Sequence, residues 1–198
     1  MKIFEPLTAA DKQNIIALTM KELEVVRNLN LPELPKYYEF VTDAIWTRSD
    51  GRQQPITYLL MEYVKGVALL DYLNTVGGLE ENYMRYIFHK IILALHKLHK
   101  SSIAHRDIKP ENIMIDSDCN LKLVDLGFAS ILQGSKWDGL MRTKVGTPGY
   151  IAPEIIEGKA YQGASIDIFS VGVTMLIMRT MAYPFNQAAT HDKDYMML

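Results

Sequence analysis

The spacing of three oxygen-bearing side chains constrains the fold of this 198-residue chain more than any other feature of its sequence. Asp107 and Asn112 are close neighbours along the chain, and Asp125 follows after two short apolar segments, 113–115 and 121–124. If these segments pair as a hairpin, the three side chains meet in one small volume. Oxygen ligands in that number suit Mg²⁺, which proteins hold with a few carboxylates together with phosphate oxygens. The sequence therefore predicts a hairpin that brings a metal-binding group of side chains together.

The same region carries the residue types that phosphoryl transfer requires. That reaction depends mainly on positioning and on the neutralisation of charge. One carboxylate has to orient the attacking hydroxyl, other oxygens have to hold the metal, and a lysine has to offset the charge of the moving phosphate. Lys109 follows Asp107 closely enough to serve as that lysine. A single aspartate is more often a turn or cap residue, but the combination at this spacing favours phosphoryl transfer.

The composition is that of an ordinary globular protein, with 48% hydrophobic and 22% charged residues. The formal net charge of -2 gives no basic field, so neither nucleic acid nor a membrane surface is expected as a partner. The single cysteine, Cys119, cannot form an intramolecular disulfide and fits a reducing, intracellular location, which we take to be cytoplasmic. The chain does not open with an apolar run of signal-peptide length. The apolar stretch 166–178 is interrupted by Asp167 and Ser170, so we expect a buried core helix and no membrane span.

Hydrophobic periodicity predicts an α+β fold, with strands concentrated before Gly66 and helices after it. This change of character predicts two unequal parts, 1–64 and 65–198, with a hinge near 62–66. The segment 126–150 is rich in Gly, Ser and Thr and is predicted to be a long ordered loop of functional importance. The predicted elements are a strand at 1–6, a helix from Thr8 to Leu29, strands Tyr37–Trp46 and Ile56–Tyr63 in a hairpin, helices Asp71–Val76, Glu80–Lys100 and Ile166–Met181, and short strands Ile113–Ile115 and Leu121–Val124.

The chemistry-bearing residues lie in motifs that resemble those of a known family. The segment 105–112 (His-Arg-Asp-Ile-Lys-Pro-Glu-Asn) resembles the catalytic loop of protein kinases. The segment 125–127 (Asp-Leu-Gly) is similar to the metal-binding motif of that family, with Leu in place of Phe. The segments 146–150 (Gly-Thr-Pro-Gly-Tyr), 152–154 (Ala-Pro-Glu) and 167–172 follow in family order and at family spacing. The chain therefore resembles the catalytic core of a eukaryotic-type Ser/Thr protein kinase.

This resemblance implies a protein-kinase-like, two-lobed α+β fold. Residues 1–64 would form a partial, small, β-rich N-lobe, and residues 65–198 would form an incomplete, helical C-lobe. The implied activity is transfer of the γ-phosphate of ATP, with Mg²⁺, to Ser or Thr hydroxyls of a protein substrate.

The resemblance also assigns catalytic roles. Asp107 would accept the proton of the substrate hydroxyl, and Lys109 would neutralise the γ-phosphate. Asn112 and Asp125 would hold Mg²⁺. Lys109 and Thr147 both match Ser/Thr kinases and differ from what tyrosine kinases usually carry. We expect the Thr147 hydroxyl to hydrogen-bond near Asp107 and Lys109 and so to tie the activation loop, residues 126–150, to the catalytic base.

Other residues are assigned to the nucleotide by the same resemblance. Lys2 and Glu22 have close to the spacing of the family's ATP-positioning lysine and its helix glutamate, and Lys12 is a weaker alternative for the lysine. Residues 59–64 match the strand and hinge that hold adenine through backbone groups. The predicted nucleotide-binding residues are Lys2, Glu22, Met61 (as gatekeeper), Glu62, Val64, Glu111, Met114 and Asp125. The residues expected to stack as an internal hydrophobic column are Val26, Tyr37, His105 and Leu126.

Arg106, beside the predicted catalytic base, needs a compensating anion. In the family this anion is a phosphate on the activation loop, and Thr143 is the best-placed acceptor for it. An activating kinase or autophosphorylation would supply the phosphate. The alternative is that Thr143 is an ordinary loop threonine.

Two departures from the family pattern leave other hypotheses open. The glycine-rich phosphate-binding loop has its place before Lys2, and the family continues with further helices after the central one, so we expect this chain to be a fragment truncated at both ends. A catalytically inactive, kinase-like interaction module is the alternative function. A small-molecule phosphotransferase of the same fold is a third hypothesis, against which the peptide-docking segments 146–150 and 152–154 argue.

Overall fold

The structure, a computed structural model, describes residues 2–4, 9–26, 29–133 and 138–198. Within these ranges, paired strands occupy the first part of the chain and helices dominate the second, so the predicted α+β class is confirmed. The helices are α1 (Ala9–Val26), α2 (Leu69–Val76), α3 (Glu81–Lys100), α4 (Pro153–Ile156) and α5 (Gly163–Thr180), with 3₁₀ turns at Pro110–Asn112 and Tyr195–Met197. The strands are β1 (Lys2–Phe4), β2 (Tyr37–Thr47), β3 (Gln53–Met61), β4 (Gly66–Ala68), β5 (Ile103–Ala104), β6 (Ile113–Asp116), β7 (Leu121–Leu123) and β8 (Ser130–Ile131).

The first sheet is antiparallel and has the strand order β1–β3–β2. β2 and β3 form the predicted hairpin, with Tyr37 opposite Met61 at its open end. In the turn that joins them Gly51 has a φ of 81°, a left-handed conformation that favours glycine. β1 pairs with the other side of β3 and places Lys2 opposite Leu59. The sheet therefore brings the start of the chain next to the strand that leads into the predicted hinge.

The second sheet, β4–β6–β7, contains the hairpin that the sequence predicted between Asn112 and Asp125. The prediction missed β4, because a strand of three residues is too short to show a hydrophobic period. β4 lies against β6 so closely that a Cβ on Gly66 would be 2.2 Å from the carbonyl oxygen of Ile115. Only glycine fits at this crossing. The prediction also missed the two-residue strands β5 and β8, which pair with each other.

Several predicted element ends shift in the structure. α1 ends at Val26 in the described part of the chain and Leu29 lies beyond it, while Thr8, the expected cap, falls outside the described residues. α2 begins at Leu69 and α5 at Gly163, each slightly earlier than predicted. An apolar period marks the residues that a helix buries and carries little information about its first turn, which explains these differences.

The main core surrounds α3. One face of this helix is buried, as the amphipathic pattern indicated. The same buried cluster includes Val26 and Leu126, and Tyr37 packs against it. His105 is fully buried close by. The four residues predicted to form an internal column are therefore all placed in the interior or at its edge. The buried residues of α3 are Ile87, Ile91, Ala94, Leu95 and Leu98.

α5 is long and apolar enough, by length and composition alone, to cross a membrane. Half of its 18-residue apolar window is buried inside the domain, where the helix packs against α3. Its buried residues include Asp167, Ser170 and Thr174 as well as aliphatic ones. This is the arrangement predicted from the sequence, a core helix interrupted by polar residues.

A connecting segment, residues 29–36, ties the strand-rich part to the helical part. The backbone N–H of Leu123 donates to the carbonyl oxygen of Glu33 at 2.8 Å, and the Glu33 carboxylate forms an ion pair with Lys97. The Lys122 ammonium donates to the carbonyl oxygen of Leu34 at 3.1 Å and forms a 3.0 Å ion pair with Glu62. The backbone of this segment is therefore fixed to β7, at the foot of the hairpin that carries the predicted site.

The carboxylate of Asp167 fixes the loop that follows β5. It is fully buried on α5 and accepts backbone N–H groups from His105 at 2.9 Å and from Arg106 at 2.7 Å. His99 on α3 lies 2.8 Å from the same carboxylate through its Nε2. A buried carboxylate is tolerated when its oxygens are hydrogen-bonded in this way. Asp167 thus joins two helices to the start of segment 105–112.

His105 is held as a neutral imidazole. Its Nδ1 accepts the backbone N–H of Asp107 at 3.3 Å, and its Nε2 lies 3.2 Å from the carbonyl oxygen of Val124, an arrangement that suits the Nε2–H tautomer. Complete burial lowers the pKa of His105 below its ordinary value of 6.5 and outweighs the opposing effect of Asp167 and Asp107. The ring therefore links the predicted catalytic residue to the strand end before Asp125 without carrying a charge.

We expect Asp167→Asn to lower the free energy of unfolding by about 2–4 kcal/mol, because the amide group would face backbone donors that now share one carboxylate. Urea denaturation followed by circular dichroism would measure this change. Asp71→Asn, at an exposed position on α2, is the matched control and should stay within about 0.5 kcal/mol of the wild type. Equal effects of the two substitutions would contradict the role given to Asp167.

We expect the stability of the wild type to fall as the pH drops below about 6.5, partly because of His105. The unfolded chain binds a proton on this histidine near pH 6.5, whereas the folded chain, with its lowered pKa, does not until the pH is lower. Between pH 7.5 and 5.5 the wild type should lose about 1 kcal/mol more than His105→Gln, which keeps a donor and an acceptor but does not titrate. Urea unfolding of both proteins across this range measures the difference. Parallel pH profiles would show that His105 is not the group responsible.

Candidate active site

Asp107 lies at the centre of the candidate site, between β5 and the 3₁₀ turn Pro110–Asn112. Asn112, at the end of that turn, donates through Nδ2 to the backbone carbonyl oxygen of Asp107 at 2.9 Å and to its Oδ2 at 2.8 Å. Both residues are buried, at 4% and 5% relative exposure. The double contact fixes the Asp107 carboxylate and turns the carbonyl oxygen of the Asn112 amide away from it.

Two more donors reach Asp107, one from Thr147 in the activation loop and one from Lys109 just before the 3₁₀ turn. The Thr147 hydroxyl donates to Asp107 Oδ1 at 2.6 Å and accepts from the Lys109 ammonium at 2.6 Å. Lys109 also forms an ion pair with Asp107 Oδ2 at 2.9 Å. The contact that the sequence predicted for Thr147 is therefore present. Because Asn112, Lys109 and Thr147 all contact the Asp107 carboxylate, these side chains are held in one arrangement around it.

Two residues beside Asp107 and Asn112 have an unusual backbone conformation. Arg106 has a φ of 66° and Asp125 a φ of 59°, both in the left-handed region that non-glycine residues rarely occupy. The Arg106 backbone is fixed there by its N–H bond to Asp167. Asp125 follows Val124, whose backbone N–H donates to the carbonyl oxygen of Asn112 at 2.9 Å. Such strain recurs at functional sites, where the surrounding structure holds it in place.

The donor set at Asn112 and Asp125 fits a magnesium ion. The backbone bond from Val124 to Asn112 places Asp125 next to Asn112 at the base of the hairpin β6–β7. In the described part of the chain, no group of three or more His, Cys, Asp or Glu side chains is arranged to hold a metal. Mg²⁺ is commonly held by one or two protein oxygens together with phosphate and water, so a full cage is not required.

The predicted hinge residues present complementary backbone groups. Met61 ends β3 and is half-buried. The N–H of Glu62 donates to the carbonyl oxygen of Lys36 at 2.7 Å, which leaves the carbonyl oxygen of Glu62 as its group for a ligand. The carbonyl oxygen of Val64 accepts the N–H of Gly66 at 2.9 Å, so the group that Val64 can offer a ligand is its own N–H. An acceptor and a donor two residues apart match the hydrogen-bonding edge of adenine.

The side chain of Glu62 has a structural task that the sequence did not predict. It accepts the backbone N–H of Lys36 at 3.0 Å and pairs with Lys122. The Glu62 side chain is therefore engaged within the protein, and only its backbone matches the predicted role at the hinge. Met114 lies on β6 opposite Ala68, half-buried, where the sheet β4–β6 continues from the hinge.

The ion pair expected between Lys2 and Glu22 involves side chains outside those that the structure describes. Their backbones are placed in β1 and α1. Lys12, the alternative lysine, forms a 2.7 Å ion pair with Asp43 on β2. Lys12 is therefore paired with a residue that does not belong to the predicted nucleotide site.

The Arg106 side chain is engaged by neutral groups. Its Nε donates to the carbonyl oxygen of Phe128 at 2.6 Å and its Nη1 to the hydroxyl of Tyr161 at 3.1 Å. Thr143, the predicted phosphate acceptor, is exposed, and its carbonyl oxygen accepts from the same hydroxyl at 2.7 Å. The sequence analysis missed Tyr161, because a tyrosine between two recognised motifs carries no signal until its spatial neighbours are known.

Glu111 lies at the edge of the site, next to Asn112 in the 3₁₀ turn. Its Oε2 is buried and has no hydrogen-bond partner within the ranges that the structure describes. Burial raises the pKa of Tyr150, and the hydrogen bond to Tyr183 and the nearby Glu111 carboxylate add to the effect. Glu111 therefore lies near Tyr150, the last residue of the segment 146–150.

Comparisons with known proteins agree with this arrangement. The family model described as "Protein kinase domain" matches residues 1–198. A SNF1-related protein kinase catalytic subunit alpha, KIN12, of Arabidopsis thaliana is 37% identical over 166 residues, which cover 84% of this chain and 31% of the relative. CBL-interacting serine/threonine-protein kinase 19 of the same plant is 34% identical and covers 94% of this chain and 35% of the relative.

A rice relative, CBL-interacting protein kinase 32 of Oryza sativa subsp. japonica, is 33% identical over 177 residues, covering 89% of this chain and 38% of its own length. The chain thus spans about a third of the length of these curated relatives. The match of the family model along the whole chain and the identity to these kinases lead to one conclusion: the chain belongs to the protein kinase domain family.

Proposed function

We propose that this chain forms the catalytic site of a protein Ser/Thr kinase that transfers the γ-phosphate of ATP to hydroxyl groups of a protein substrate. One observation carries the proposal: the Asp107 carboxylate is oriented at once by Asn112, Lys109 and Thr147. Proteins have little covalent work to do in phosphoryl transfer, and they act mainly by positioning and by neutralising charge. The site supplies both.

In the proposed reaction the substrate hydroxyl lies against Asp107. Its oxygen forms a bond to the γ-phosphorus while the bond between that phosphorus and the β,γ-bridging oxygen breaks, and ADP leaves with the electron pair. The hydroxyl proton passes to a carboxylate oxygen of Asp107. The Lys109 ammonium, which lies 2.9 Å from Asp107, would offset the charge of the transferred phosphate.

Asn112 and Asp125 would hold Mg²⁺, which neutralises the charge of the phosphate oxygens when it is bound. The carbonyl oxygen of Glu62 and the N–H of Val64 would receive adenine, with Met61 and Met114 as apolar neighbours of the ring. We assign Lys2 and Glu22 to the ATP phosphates on the resemblance of their motifs alone. Glu111 belongs to the same group of proposed binding residues.

We further propose that residues 1–64 and 65–198 act as two lobes around the hinge 62–66. The distribution of strands and helices supports this division. An intracellular location is supported by Cys119, an exposed thiol that would persist in a reducing compartment. Thr143, exposed on the activation loop, is the proposed acceptor for an activating phosphate, added by another kinase or by the protein itself.

We expect Asp107→Asn to lower phosphate transfer by a factor of about 10²–10⁴, because the amide keeps the shape of the carboxylate but does not take up a proton. The full-length protein that carries this chain should be assayed with radiolabelled ATP, Mg²⁺ and a Ser/Thr peptide library. The dissociation constant of ATP should change by less than about threefold, since the substitution leaves the hinge intact. Asp118→Asn, at an exposed turn, is the matched control.

Lack of transfer by the folded wild type would sink the kinase proposal. A thermal shift with ATP and Mg²⁺ then separates the alternatives, because a ligand that binds only the folded state stabilises it. The inactive interaction module predicts no shift. Transfer to sugar or aminoglycoside acceptors but not to peptides would instead favour the small-molecule phosphotransferase.

We expect Thr147→Val to lower kcat by about tenfold while Thr147→Ser retains most of the activity. Valine keeps the shape of threonine but removes the hydroxyl that joins Lys109 to Asp107, so both charged groups lose a hydrogen bond. Steady-state kinetics with a peptide substrate would separate kcat from KM. If Val and Ser variants behave alike, the hydroxyl does not position the base.

A further inference from the structure

One phenol hydroxyl connects the arginine beside the catalytic base to the activation loop. The Tyr161 hydroxyl accepts a hydrogen bond from Arg106 Nη1 at 3.1 Å and donates one to the carbonyl oxygen of Thr143 at 2.7 Å. A hydroxyl can be a donor and an acceptor at once, and a chain of such bonds polarises each member and strengthens the others. The contact therefore couples a buried cation to the loop backbone through a single oxygen atom.

Both the side chain and the backbone of Tyr161 are fixed by the surrounding structure. Its side chain is 3% exposed and packs in a buried cluster with Met141. The backbones of Tyr161 and Met141 exchange two hydrogen bonds, at 2.8 and 2.9 Å. Tyr161 stands two residues before α5, the helix that carries Asp167. The residue that carries the hydroxyl thus lies just before the helix whose Asp167 fixes the backbone of Arg106.

The electrostatic surroundings of Arg106 explain what the hydroxyl contributes. Arg106 is buried, with 6% of the residue exposed, and in the described part of the chain the hydrogen-bond partners of its guanidinium include no carboxylate side chain. Its two recorded side-chain partners are neutral, the Phe128 carbonyl oxygen and the Tyr161 hydroxyl. A buried cation needs its N–H groups satisfied, and dipoles can do this where no anion is present. Tyr161 is therefore part of what stabilises Arg106 in the unmodified chain.

The hydroxyl is also the middle one of three anchors on the loop. Met141 is fixed by the backbone bonds to Tyr161, Thr143 by the hydroxyl, and Thr147 by its bonds to Asp107 and Lys109. Without the middle anchor, residues 142–146 would be held only at their ends. Thr147 contacts Asp107 directly, so greater mobility of residues 142–146 would also disturb the position of Asp107.

We propose that Tyr161 is a positioning residue whose hydroxyl holds the activation loop against Arg106 when Thr143 is unphosphorylated. The proposal rests on the kinase function proposed above. The hydroxyl gives Arg106 a neutral partner and transmits the position of that residue to the loop backbone. A phosphate on Thr143 would offer Arg106 a much stronger, anionic partner, and the hydroxyl would then matter less.

Tyr161→Phe tests the proposal, because it removes one oxygen and keeps the buried ring. The first measurement is amide hydrogen exchange of the phosphatase-treated full-length protein. Exchange in residues 138–147 should become about tenfold faster, whereas exchange in α3 should stay the same. Tyr195→Phe is the matched control, since Tyr195 packs on Phe185 in a different buried cluster from Tyr161 and should leave residues 138–147 unchanged.

The second measurement separates positioning from general stabilisation. The substitution should lower kcat about tenfold in the unphosphorylated protein, with less effect on KM for ATP, because it disturbs the base and leaves the hinge intact. With phosphothreonine incorporated at position 143, the defects in exchange and in kcat should both shrink to less than about threefold. A purely structural role of the hydroxyl predicts the same defect in both forms.

Each result decides between the alternatives. Unchanged exchange in residues 138–147 would overturn the proposal, and so would equal loosening of the loop and α3. A defect that phosphorylation does not reduce would overturn it as well. The exchange experiment needs no enzymatic activity, so an inactive wild type would count against the kinase function while the role of Tyr161 was still decided by exchange.

Discussion

The buried carboxylate of Asp167 is the constraint on which the catalytic loop depends. It lies on α5, where it accepts two consecutive backbone N–H groups and contacts an imidazole from a second helix. Backbone groups in a loop have no neighbouring strand or helical turn to satisfy them, so a buried acceptor must be supplied. Because Asp167 supplies it, Arg106 can keep its left-handed conformation, and Asp107 follows in a fixed direction.

The rest of the site is arranged around one hydrogen-bond acceptor, the carboxylate of Asp107. Asn112 in the 3₁₀ turn, Lys109 just before it and Thr147 in the activation loop all contact this carboxylate. Arg106, next to it, is satisfied by a carbonyl and a phenol. Of these two neighbouring residues, Asp107 gathers amide, ammonium and hydroxyl donors, and Arg106 contacts two neutral groups. Both depend on the helix behind them.

The spacing of residues along the chain explains which contacts of the site could be predicted. Asp107, Lys109, Asn112 and Asp125 lie close together in sequence around a hairpin, so short-range rules placed them in one volume, and the structure shows that contact network for the first three. Two contacts between residues far apart in the chain were missed, whereas the Thr147 contact was predicted because Thr147 belongs to a recognised motif. Glu62 turns its side chain to Lys122, and Tyr161 reaches Arg106, because their partners are set by packing that no local pattern records. The short strands β4, β5 and β8 were also missed, while β1 and β7 were predicted.

Residues 62–65 are held on both sides by close backbone contacts. At Gly66 the backbone touches β6 so closely that no side chain fits, and at Glu33 the connecting segment is bonded to β7. Glu62 itself pairs with Lys122 on β7. A side chain at position 66 would therefore push β4 away from β6 and displace the backbone of residues 62–65 with it.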